Sequence, residues 1–166
     1  SDDDGSLVTR TYTVTVTGAD DAPTLAVVTA GTIAEVDQSS TTVDVGLTGT
    51  LTGSDLDAET LTYGIVGETA SNGTVSKAGT YGTLTVTAAT GAYAFTKNAG
   101  AIEALDATET GTDTFTVSVS DDDGSLVTRT YTVTVTGPDD APTLAAVTAG
   151  TIAEVDQSAT MTDGGL

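Results

Sequence analysis

From Val8 to Thr17 apolar and polar positions alternate almost without exception. Val8, Tyr12, Val14 and Val16 fall on every second position, and Thr fills most of the rest. A two-residue period marks a strand with one buried and one solvated face. The same period predicts seven strands further along. The first covers roughly 24–36, with an interruption near Ala30-Gly31. The second carries Val43, Val45, Leu47 and Leu51 on one face, and the third Leu61, Tyr63 and Ile65. The fourth carries Leu84 and Val86, preceded by a small hairpin starting at Asn72-Gly73, and the fifth Tyr93 and Phe95. Phe115, Val117 and Val119 mark the sixth; Val127, Tyr131, Val133 and Val135 mark the seventh. Helical periodicity competes only weakly, at Ala101–Leu105. Seven strands in roughly 115 residues predict an all-β, immunoglobulin-like sandwich.

Residues 1–40 recur at 120–159 with three differences, Ala19/Pro138, Val27/Ala146 and Ser40/Ala159, a period of 119 residues. That period is the size of a whole domain, so the chain reads as part of a tandem array rather than a solenoid. GADDAP (18–23) and GPDDAP (137–142) are the linkers, because Pro cannot continue a central strand and stiffens the connection. The expected organisation is the last strand of a preceding repeat at 1–18, a complete repeat at 19–137, and the start of a following repeat at 138–166. Both ends are then expected to be cuts through a longer array.

Charge narrows the partners. Acidic residues outnumber basic ones 24 to 4, for a formal net charge of −20. Arg10, Lys77, Lys97 and Arg129 cannot neutralise a run of phosphates, so no nucleic-acid partner is expected. An anionic membrane surface is disfavoured by sign, and no apolar run is long enough for a membrane span. With no Cys and no His there is no disulfide, no thiol or imidazole catalysis, and neither of zinc's usual side chains. A cationic partner is favoured, and metal ions are the simplest candidates.

Strand order places the acidic loops. In an antiparallel sandwich the second strand returns to the pole where the first began, and so does the sixth. The loop holding Asp55, Asp57 and Glu59, the loop holding Asp121, Asp122 and Asp123, and the linker holding Asp20 and Asp21 therefore converge on one pole. Like charges about 5 Å apart repel by several tenths of a kcal/mol in water. A hard divalent cation reverses that sign, and calcium suits many flexible loop carboxylates better than magnesium. A second set is expected at the far pole, from Glu35, Asp37, Asp106, Glu109, Asp139 and Asp140. The alternative for both sets is a solvated acidic surface. Asp55-x-Asp57-x-Glu59 is no EF-hand, since its sixth position is Thr60 and its twelfth Val66.

The runs GAYAFTKN…TGTDTFTVSVSDDDGSLVTRTYTVTVTGPDDAPTL (91–144) and GTLTGSDLDAETLTYGIVG (49–67) resemble the bacterial VCBS repeat. That repeat is a cadherin-like module of giant RTX-type secreted adhesins. The resemblance covers nearly the whole unit, and its most specific parts are DTFTVSVSDDDG and the TGxDDAPTL linker. The chain departs from it with Asp20 and Asp139 where Asn is common, and with Ala88-Ala89 in a turn often acidic in relatives. The resemblance implies calcium at the linkers, with Glu35 matching a Glu that reaches the trailing linker's ion. It also implies an extracellular, bacterial-surface location.

A glycosidase needs two carboxylates across a cleft, usually with aromatic platforms; Trp is absent, and the aromatics sit mostly at inward strand positions. No enzyme is expected. The favoured reading is a calcium-dependent structural extender of a surface adhesin or fibre, supporting adhesion and biofilm formation, with neighbouring repeats as partners. The rivals are a glycan- or protein-binding module and a self-assembling fibre or surface-layer subunit that exchanges strands between copies.

Overall fold

The computed structural model describes residues 3–106, 109–138, 140–154 and 161–164. Its strands in chain order are β1 (Thr24–Leu25), β2 (Gly31–Val36), β3 (Ser39–Val45), β4 (Thr48–Thr50), β5 (Gly53–Ser54), β6 (Thr62–Ile65), β7 (Thr74–Ala78), β8 (Gly82–Thr87) and β9 (Ala92–Lys97). One turn of helix, α1 (Ala99–Ile102), precedes β10 (Thr110–Ser120), β11 (Leu126–Thr136), β12 (Thr151–Glu154) and β13 (Met161–Gly164). A five-stranded sheet, β3-β2-β11-β10-β6, faces a four-stranded sheet, β4-β9-β8-β7. β2 lies parallel to β11, and the other neighbours in these two sheets are antiparallel. The chain is therefore an all-β sandwich, as its alternation predicts.

The inward rows meet in one core. Tyr93 and Phe95 of β9 contact Tyr131 and Phe115 of the opposite sheet, with ring centroids 5.2 and 6.0 Å apart. Ile33, Leu84, Val86, Val117, Val119, Val133 and Val135 close the space around them. Asp113 faces the same interior, and its two carboxylate oxygens accept from the amides of Thr80 and Tyr81, each at 2.8 Å. That buried carboxylate is fully used in holding the β7–β8 turn.

The predicted second strand is corrected. Val43 and Val45 are exposed, whereas Leu47 is partly buried and Leu51 buried. Gly46 is the cause. It adopts φ +69°, and a side chain there would meet the Ala30 carbonyl oxygen at 2.6 Å. This left-handed residue interrupts the alternation and passes the chain from β3 in one sheet to β4 in the other. Its carbonyl accepts the hydroxyl of buried Tyr131 at 2.8 Å, so the break also satisfies the core's largest polar group. The predicted first strand likewise divides into β1 and β2. At the predicted Asn72-Gly73 hairpin there is a tight turn, both residues with positive φ, closed by a Ser71–Thr74 bridge. The longer hairpin joins β7 to β8.

Residues 1–18 and 120–137 are identical in sequence. The second copy forms β11; residues 7–17 form no strand. Tyr131 is 1% exposed and its counterpart Tyr12 90%; Val135 is 0% exposed and Val16 85%. Local propensity is the same in both, so the difference is made by β2 and β10, which supply ladder partners, and by the facing sheet, whose Tyr93 helps cover the apolar row. Tyr131→Phe should therefore lower unfolding free energy in urea by about 1–2 kcal/mol, leaving the Gly46 carbonyl without its donor. Tyr12→Phe, in the same local sequence, should leave it unchanged.

Candidate metal sites at the two poles

At the near pole three segments come together. The β10–β11 loop is closed by Asp121, whose Oδ1 accepts from the amides of Gly124 at 2.7 Å and Ser125 at 2.8 Å. The segment between β5 and β6 is folded by Asp55, whose Oδ1 accepts from the Asp57 amide at 2.7 Å. Asp57 Oδ2 in turn accepts from the amide of Asp21 at 2.8 Å and so holds the leading linker. These contacts leave Asp20, Glu59 and Asp121 with carboxylate oxygens within 4.8 Å of one another. Asp122 and Asp123 are exposed at the rim of the same loop.

The oxygens not used in folding these loops are the informative ones. Asp55 Oδ2, Glu59 Oε2 and Asp121 Oδ2 are buried and have no hydrogen-bond donor. Asp113 shows that this fold can satisfy both oxygens of a buried carboxylate where only structure is required. No Lys or Arg compensates the cluster: the ion pairs among the described residues are Lys77–Glu68 and Lys97–Asp44. The electrostatic cost shows in the protonation equilibria. The Glu59 carboxyl is pushed up to about 7, first by desolvation and then by the charges of Asp122, Asp123, Asp20 and Asp121. Asp20 is raised in the same way, by desolvation and then by Asp123, Asp121, Asp57 and Asp55.

The far pole repeats the pattern. Glu35 ends the inward row of β2, and its Oε1 is buried without a donor. Oxygens of Glu35, Glu103 and Asp140 lie within 4.8 Å of one another. Asp140 also accepts from the Gln38 amide at 2.6 Å, tying the trailing linker to the β2–β3 turn. Glu35 is raised by desolvation, by a carboxyl–carboxyl hydrogen bond with Glu103, and by the charges of Glu103 and Asp140.

Glu103 is not among the ligands expected from the sequence. Its signal was the weak helical stretch, because the turn of α1 places the residue that follows Ile102 beside the end of β2. Asp37 lies in the β2–β3 turn and is exposed. The Asp106 amide donates to Glu109 at 3.1 Å within their own loop. Asp139 lies outside the described residues.

Both clusters fit a hard cation: all-oxygen donors, buried lone pairs without partners, and no positive side chain to compensate them. Residues 20–137 match a family model described as a bacterial cadherin-like domain. No curated protein matches the chain.

The pH response of the cation-depleted protein follows from Glu59. Its folded-state pKa of about 7 lies above its ordinary value of 4.5, so the folded protein holds the proton more tightly than the unfolded chain. This contribution is complete below the ordinary value and is lost as pH rises through the folded value. Thermal melts should show stability falling across that window, and Glu59→Gln should flatten the fall.

Proposed function

The chain belongs to the bacterial cadherin-like domain family, and on that premise we propose that it is a calcium-stiffened extender in an extracellular adhesion protein of the bacterial surface. One observation carries this reading. Asp20 belongs to the near-pole cluster, and Asp140, the repeat counterpart of Asp21, belongs to the far-pole cluster. Carried onto one junction by the 119-residue repeat, adjacent linker aspartates serve two different domains. Their Cα atoms are only about 3.8 Å apart.

The residues that would hold ions are Asp20, Asp55, Glu59 and Asp121 on one side of a junction, and Glu35, Glu103 and Asp140 on the other. When bound, calcium supplies divalent charge and accepts about six to eight oxygen ligands, more than either cluster offers alone. The chain's own residues do the positioning. Asp57 holds the leading linker by the Asp21 amide, and Gln38 holds the trailing linker by Asp140. A linker fastened at both ends by backbone contacts, with carboxylates turned to both neighbours, sets the angle between domains once its repulsion is cancelled. Near-identical repeats suit this role, since a spacer needs length and stiffness rather than individual specificity. Tyr93, Phe95, Phe115 and Tyr131 are spent on the core, and the acidic clusters sit at the poles of the sandwich. The extender is accordingly read as non-catalytic.

Calcium should raise the melting temperature of the 166-residue chain. The stabilisation should be about 3 kcal/mol at a hundredfold excess over the dissociation constant. Asp121→Asn keeps the Oδ1 that closes the loop but loses the charge, and together with Glu59→Gln it should remove most of the rise at the near pole. Asp113→Asn should lower stability equally with calcium and with chelator. An undiminished calcium response in the Asp121/Glu59 double variant would eliminate the near-pole site.

A further inference from the structure

The two linkers are caught by the sandwich in different ways. In the leading linker the Asp21 amide donates to Asp57 Oδ2 at 2.8 Å. In the trailing linker Asp140 Oδ1 accepts from the Gln38 backbone amide at 2.6 Å, with the Gln38 side-chain amide 3.4 Å away. Shifted by the 119-residue period, Asp21 and Asp140 are one position of the repeat, in the same DDAPTL run. The two bonds use different atoms of that position, its backbone N–H and its carboxylate, so they do not compete. Each has a carboxylate acceptor, which makes it a charge-assisted and stronger bond. Backbone strain collects in the same two loops. Among the described residues three other than Gly have positive φ: Gln38 at 55°, Ala58 at 58° and Asn72 at 52°. Asn72 makes the tight turn before β7. Gln38 is the donor to Asp140, and Ala58 directly follows the acceptor Asp57. Such conformations persist where the surroundings fix them.

We propose that this single aspartate is an ion-independent pin between consecutive repeats. Its carboxylate is held by the β2–β3 turn of the repeat before it, and its N–H by the β5–β6 segment of the repeat after it. The inference rests on the extender reading for the presence of a second repeat. It does not rest on the ions, since Gln38 and Asp57 belong to neither carboxylate cluster. The partner of the β2–β3 turn is therefore the 55–58 loop of the next domain. Only one aspartate and its two hydrogen bonds separate Gln38 of one repeat from Asp57 of the other. The domains accordingly meet at these loops and do not drift apart by the length of the linker. Both bonds are exposed, and two contacts about one residue leave rotation around it. Without ions the joint is a hinge with a fixed pivot, and an array in chelator is a row of pinned joints in place of beads on free linkers.

Asp140 also belongs to the far-pole cluster, so the test is run in chelator. Amide hydrogen exchange on the full chain reads each half of the pin. Asp57→Ala should speed exchange at Asp21 by roughly tenfold and leave Gln38 unchanged, and Asp140→Ala should do the reverse. Asp57→Asn and Asp140→Asn keep an acceptor oxygen and should retain most of the protection. The pin itself is read in the chain lengthened by one period, residues 1–140 followed by 22–166. The chain has no native Cys, so spin labels are placed through Val43→Cys in the first repeat and Val27→Cys in the second. Both positions are exposed and neither lies in the two loops. The distance distribution between the labels should be narrow in chelator, broaden to that of a flexible linker with Asp140→Ala, and narrow again with Asp140→Asn. Distances that are broad in chelator and narrow only with calcium would overturn the pin and leave the calcium sites standing. A distribution that Asp140→Ala does not alter would also overturn it. A narrow distribution in chelator that calcium leaves unchanged would uphold the pin and count against stiffening by calcium.

Discussion

The pairing of β10 with β11 is the constraint on which the rest of the molecule hangs. The two strands pair along their whole length, from Thr110↔Thr136 to Ser120↔Leu126. Their inward residues, Phe115, Val117, Val119, Tyr131, Val133 and Val135, form the middle of the core. β11 is also the strand against which β2 aligns in parallel, which carries Glu35 to the far pole. At about 3.4 Å per residue these strands span roughly 37 Å and set the distance between the two acidic poles. The loop that joins them contributes Asp121 to one pole, and the residues that follow β11 deliver Asp140 to the other.

The poles are complementary in composition and unlike in construction. The near pole is made of loops whose side chains hold their own backbones: Asp121 closes one, Asp55 another, and Asp57 reaches the linker. The far pole uses strand and helix ends, with Glu35 at the last inward position of β2 and Glu103 just after α1. In both, one set of oxygens is engaged by amides and a second set is buried without donors. A solvated acidic surface would not bury those oxygens. Their burial separates these clusters from the remaining exposed carboxylates of a strongly acidic chain.

Much of this was legible in the residues, and the exceptions have physical causes. Strict alternation identified β10 and β11, because both bury one face and solvate the other. The convergence at the near pole could be reasoned from strand parity alone, and Asp20, Glu59 and Asp121 do lie together there. Parity carried through Gly46 puts Val43 and Val45 on one face with Leu47 and Leu51. A single residue at positive φ changes the face, and nothing in the alternation records it. Glu103 was obscure for another reason: one turn of helix is too short for a 3.6-residue period to stand out. The unlike fates of 7–17 and 126–136 mark the limit of local reading, since identical residues became exposed chain in one place and central strand in the other.

Repeats this similar pose a sorting problem while the chain folds. Every copy of the β11 sequence would fit every β10, so side-chain complementarity cannot tell a strand's own partner from its neighbour's. Proximity along the chain can. Only 121–125 separates β10 from β11, and closing so short a loop takes on the order of 10–100 ns and costs less entropy than closing one a whole repeat longer. Asp121, by accepting the Gly124 and Ser125 amides, favours the closed turn from within five residues. The hairpin can therefore form before a distant copy of the sequence competes for it, and the partner of β10 is selected by the speed of a local turn.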